Sequence, residues 1–76
     1  MQVYENDMLH KLSDMVVEEM DGVARYARCA IQHKAENPKL AEMFHEMSLQ
    51  EMSHMDKLID QVREDLKAMQ TAYSQA

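Results

Sequence analysis

Glu51 and His54 stand three residues apart in Met47–Leu58, a stretch with the periodicity of a long helix. Residues at that spacing share a helix face. The same face carries Leu40, Phe44, Met47, Met55, Leu58 and Val62, so a carboxylate and an imidazole lie on an apolar stripe. Polar groups placed there are costly unless something compensates them. A metal ion would do so, because carboxylate oxygen with imidazole nitrogen suits iron, manganese or zinc. A Glu-x-x-His pair is common by chance in a Glu-rich helix, so further ligands decide its meaning. Glu19 is the candidate. Glu18, Glu19 and Asp21 are close in sequence, and helical phase separates them. Glu18 and Asp21 turn to the far side of their helix, while Glu19 falls on the flank of its apolar stripe, beside Met15, Gly22 and Tyr26.

Two elements must position these residues. Apolar side chains recur at helical spacing as Leu9, Leu12, Val16, Met20, Val23, Ala27, Ala30 and Ile31, which predicts a first helix from about Asp7 to Lys34. Met1 to Asn6 reads as a frayed or partly helical start, and Asn6 or Asp7 can cap the first helix. Ala35-Glu36-Asn37-Pro38 is the one clear break: Asn37 suits an N-cap and Pro38 the first helical position. A second helix runs from about Pro38 to Met69, with Leu40, Met43, Phe44, Met47, Glu51, His54, Met55, Leu58, Val62, Leu66 and Met69 inward. Gln70 to Ala76 reads as a loose polar tail. A connection this short folds the helices back antiparallel.

Composition agrees with an all-α chain. Of 76 residues one is glycine and one proline, too few turn formers for a β-rich domain. The lone cysteine, Cys29, has no intrachain disulfide partner and reads as a small buried residue. No signal peptide and no apolar run long enough for a membrane are visible, so a cytoplasmic protein is expected. The net charge of −6 argues against nucleic acid, which needs a basic face. No nucleophile triad or phosphate-binding glycine loop is present. His10, His33 and His45 read as surface residues, and the methionines as core filler.

One amphipathic hairpin cannot cover both of its stripes. A second copy would, giving a two-fold antiparallel four-helix bundle. The duplicated set is four carboxylates and two histidines on four helices, the ligand set of a di-iron or di-manganese carboxylate site. Tyr26, two turns after Glu19, either hydrogen-bonds a ligand or packs in the core. Gly22 costs about 1 kcal/mol relative to alanine in mid-helix; it is either drift or a gap required by a close helix contact beside Glu19.

Glu19, Tyr26 seven residues later, Pro38-Lys39-Leu40-Ala41 and Glu51-Met52-Ser53-His54 together resemble the ferritin-like superfamily. Across Val16–Leu58 the chain is most similar to the first hairpin of rubrerythrins and to encapsulated ferritins. The resemblance implies Glu19, Glu51 and His54 as ligands with Tyr26 as their neighbour, a homodimer or higher even-numbered oligomer, two iron ions per dimer, and oxidation of Fe(II) as a ferroxidase. Three departures stand beside it. There is no four-cysteine rubredoxin centre, Thr71–Ala76 does not look like a shell-targeting peptide, and the chain is too short for a classical ferritin cage subunit. An ungapped alignment on Pro38 would put Asp21 in place of Glu19; helical phase favours Glu19. The competing reading is a metal-free dimerising module in which Glu51 and His54 form a buried polar pair, with Arg25 or Arg28 as further partners, that sets register. A zinc or manganese site with a structural duty alone is a third.

Overall fold

The fold was taken from a computed structural model, which describes residues 6–75. It contains two helices, α1 (Asn6–His33) and α2 (Pro38–Gln75), folded into a hairpin about 60 Å long and 16 Å by 11 Å across. The start expected to be frayed or partly helical lies outside the described residues, apart from Asn6, which is helical. The side chains proposed to cap α1, Asn6 and Asp7, lie outside them too.

The turn between the helices is built as its residue types require. Asn37 N–H donates to the His33 carbonyl at 2.8 Å, closing the end of α1. Asn37 then caps α2: its side-chain oxygen accepts from Leu40 N–H at 3.2 Å and its carbonyl from Ala41 N–H at 3.0 Å. Pro38 sits at the first helical position, where no N–H is needed.

The two helices meet along heptad-spaced residues. In α1 these are Leu9, Leu12, Val16, Glu19, Val23, Tyr26, Ala30 and His33, all at least half-buried. In α2 they are Ala41, Phe44, Ser48, Glu51, Met55, Leu58, Val62, Asp65, Met69 and Ala72. Alternating steps of three and four are the seam of a two-helix coiled coil. Ala41 and Ser48 are buried in it. Both are small, and Ser48 Oγ donates to the Val23 carbonyl at 2.8 Å, so the hydroxyl is satisfied where the backbones come close.

This seam corrects the sequence reading in four places. Glu19 lies in the seam, not on its flank. Met43, Leu66 and His54, expected inward, are exposed on the hairpin, while Ala41 and Ser48 are buried. The apolar stripe of α2 is wider than one neighbour needs, so its midpoint is displaced from the hairpin seam. Third, α2 does not stop at Met69: residues 70–75 continue it, since no glycine or proline intervenes and Ala72 extends the seam spacing. Fourth, His33 and Cys29 are both half-buried, neither surface nor core; His33 Nδ1 is 2.8 Å from the Cys29 carbonyl and its ring tilts on Phe44 at 5.8 Å.

The core is thin. Among the described residues only Leu12, Ala41 and Ser48 are buried, and no side chain is fully so. No helix among them is long and apolar enough to cross a membrane.

Candidate metal centre

Midway along the hairpin, the largely apolar seam carries two carboxylates facing each other. Glu19 comes from α1 and Glu51 from α2, and one turn further along α2 His54 leans over both. His54 Nδ1 lies 3.4 Å from Glu51 Oε1 and 3.7 Å from Glu19 Oε2. The carboxylate side chains are 25% and 28% exposed, whereas His54 is 55% exposed. The group therefore opens on one broad face of the hairpin, through the histidine.

Glu19 Oε2 is buried and no hydrogen-bond donor reaches it. A buried carboxylate oxygen left without a donor is a costly feature. The Glu19 carboxyl is correspondingly held above the usual carboxylate range. The facing Glu51 raises it most, because a proton on Glu19 can be shared between the two; burial and the repulsion of Glu51 add to this, and His54 opposes it. A proton or a cation therefore relieves the pair. The counter-charge envisaged from Arg25 is absent: Arg25 pairs with Asp21 on the outer surface, at 2.8 Å. Arg28 pairs with neither ligand candidate among the described residues.

The donor set fits a metal. Glu19, Glu51 and His54 each offer a ligand atom, and these atoms lie within 4.8 Å of one another. Two atoms held about 2.1 Å from one divalent ion such as zinc can be at most about 4.2 Å apart. The two contacts of His54, at 3.4 and 3.7 Å, already satisfy that limit, while the 4.8 Å bound on the whole group lies just above it. Among the described residues this is the one such group of three. Asp21 is not part of it.

Gly22 is the residue that permits the arrangement. A β-carbon there would stand 2.8 Å from Glu51 Oε2 and 3.5 Å from its Cγ and Cδ. The glycine is thus a gap occupied by the Glu51 carboxylate, the contact-driven alternative of the two considered for it. Tyr26, also in the seam, stacks on Phe44 with ring centroids 6.2 Å apart and planes at 18°. Its hydroxyl has no hydrogen-bond partner among the described residues, so in the hairpin it acts as packing. Ser48 was not among the expected site residues; it lies outside the apolar stripe read for the second helix, so periodicity did not mark it.

Comparison with protein families matches residues 11–74 to the family described as Rubrerythrin. No curated protein and no solved structure matches the chain.

Proposed function

Because the chain belongs to the rubrerythrin family, we propose that Glu19, Glu51 and His54 form half of a di-iron carboxylate site, completed by a second copy of the hairpin. The observation that carries this reading is the buried Glu19 oxygen without a donor, set against Glu51 and beneath the exposed His54. Domains of this family typically bind iron, which favours iron over manganese or zinc. Three ligands from one chain leave an ion's coordination open. The face on which His54 opens is lined by Met8, Met15 and Met43, 56%, 47% and 46% exposed, so covering it buries apolar area while completing the ligand set. The assembly is then a homodimeric, ferritin-like four-helix bundle.

In that bundle each residue has a task. Glu19 and Glu51, ionised, supply the negative charge that draws Fe(II) to the seam and stabilises the higher charge of Fe(III). His54 supplies neutral nitrogen and stands at the entrance. Tyr26, on the same row of α1 as Glu19, closes the site toward the turn. A bound iron pair would contribute one-electron oxidation chemistry, with oxygen or peroxide as the acceptor. On this reading Fe(II) is a substrate, the activity is that of a ferroxidase, and the protein handles iron in the cytoplasm.

The test is iron content and solution mass after anaerobic Fe(II) loading and desalting. About one iron per chain in an even-numbered oligomer is expected from the ligand count. Glu51→Ala combined with His54→Ala should abolish retention, and unchanged stoichiometry in that variant would rule the site out. A stable dimer that retains no iron would identify a metal-free assembly module. Retained metal without Fe(II) oxidation would identify a structural site.

A further inference from the structure

The hairpin has two broad faces, and both are apolar. The metal-side face carries Met15, Gly22 and Cys29 from α1 with Leu40, Met47 and His54 from α2. The opposite face carries a second run of three-and-four spacing along α1: Ser13, Val17, Met20, Ala24, Ala27 and Ile31. Val17, Met20 and Ile31 are 54%, 53% and 76% exposed. Leu49 and Met52 of α2 widen the same face, 52% and 43% exposed. Two shallow grooves mark it, one along Val17, Met20 and Ala24, the other crossing between the helices from Ile31 and Lys34 to Glu42 and His45. A two-fold bundle formed on the metal side leaves all of this uncovered.

The charges along the run indicate what covers it. Asp14 and Asp21 border its first half, and Arg28 and Lys34 its second half. Among the described residues Arg28 and Lys34 have no ion-pair partner, although both are exposed beside an apolar stripe. A surface that is acidic at one end and basic at the other complements itself when reversed. We propose that this face binds α1 of a further copy of the chain, antiparallel and centred on Ala24 and Ala27. That register sets Ala24 against the partner's Ala27 and Met20 against the partner's Ile31, each contact occurring twice by symmetry. It brings Asp21, which pairs with Arg25 of its own helix at 2.8 Å, beside the partner's Arg28 as well. The small central alanines allow close approach, and the larger residues at either side fill the grooves. The interface is isologous and distinct from the metal-side one, so the two together build tetramers or larger even-numbered assemblies. This inference stands on residues that take no part in the metal centre.

Sedimentation and native mass of the iron-loaded protein at micromolar concentration test it. The wild type is expected as a tetramer or larger, and Ile31→Glu as a dimer with iron per chain unchanged. Asp21→Arg should dissociate the assembly in the same way, and D21R with R28D should restore it, which a non-specific apolar contact would not. A wild type no larger than a dimer that Ile31→Glu leaves intact overturns the proposal. So does a large assembly that neither Ile31→Glu nor Met20→Glu reduces. A wild-type dimer that Ile31→Glu splits into monomers upholds this face and removes the metal-side dimer instead, so failure of the two readings is told apart.

Discussion

A β-carbon at Gly22 would fall 2.8 Å from Glu51 Oε2, the far end of a flexible side chain, so Gly22→Ala is accommodated only by moving the carboxylate. Alanine restores about 1 kcal/mol of helix propensity at the same time. The two effects separate by state. The metal-free protein should unfold at a higher temperature in Gly22→Ala, while its iron affinity falls several-fold. Thermal unfolding paired with metal titration checks this, and equal affinity in both proteins would show that Gly22 does not set the position of Glu51. Glu19 makes a second prediction with opposite signs in the two states. Its carboxyl titrates above the usual range in the fold. The metal-free protein therefore gains stability from Glu19 as pH falls through the folded value, and loses it as pH rises again. Iron binding needs the carboxylate and should weaken over the same descent, because protons compete with the ion. Comparing each profile with that of Glu19→Gln isolates this group from the other carboxylates; a difference that does not change with pH would mean that Glu19 does not titrate as inferred. Helical phase chose Glu19 over Glu18 and Asp21, and the three-residue spacing put Glu51 beside His54, although phase also set Glu19 on the flank and His54 inward, where the fold has neither. The electrostatics of the cluster were not legible, because they depend on Glu51 arriving from the other helix.

At the scale of the helices, Ser48 tests the seam. Its hydroxyl satisfies itself on the Val23 carbonyl, and its small volume lets α1 and α2 approach. Ser48→Ala removes the hydrogen bond but keeps the volume, and should cost about 1 kcal/mol. Ser48→Leu forces the backbones apart and should cost about 1–3 kcal/mol. It should also lower iron affinity, since Glu19 and Glu51 separate with the helices. Denaturant unfolding of both variants gives the comparison; a leucine as well tolerated as alanine would mean that the seam is loose at this point. The turn was legible because Asn37 and Pro38 act through local chemistry, and so were the existence and direction of both helices. The true seam was not. Periodicity reports the sum of everything a helix buries, and α2 has apolar residues for more than one neighbour. The inferred stripe was therefore centred away from the hairpin contact, with Met43 and His54 inside and Ser48 outside. The end of α2 was misplaced for a related reason: the polarity of Gln70 to Ala76 suggested a tail, but polarity does not stop a helix that lacks a breaker.

For the whole molecule, an open hairpin with three buried residues among those described cannot owe much of its stability to its own core. Large apolar side chains remain exposed on both faces, and the one buried oxygen without a donor among the described residues lies at the edge of one of them. Folding, association and metal binding should then be a single linked process. Iron that binds only the assembled form stabilises it by mass action, by about 2.7 kcal/mol at a hundredfold excess over its dissociation constant. For a domain of this size each 1 kcal/mol moves the unfolding midpoint by roughly 4–8 °C. A saturating metal effect should therefore be a shift of about 10–20 °C by the same relations, reversed by a chelator. The midpoint should also rise with protein concentration, because assembly precedes completion of the site. In Glu51→Ala with His54→Ala the concentration dependence should survive while the metal dependence vanishes. That split separates cohesion by apolar faces from cohesion by the ion. If both dependences vanish together in the double variant, the metal drives association and the apolar faces come together only behind it. If neither was present in the wild type, the hairpin is stable alone and its exposed methionines need another explanation.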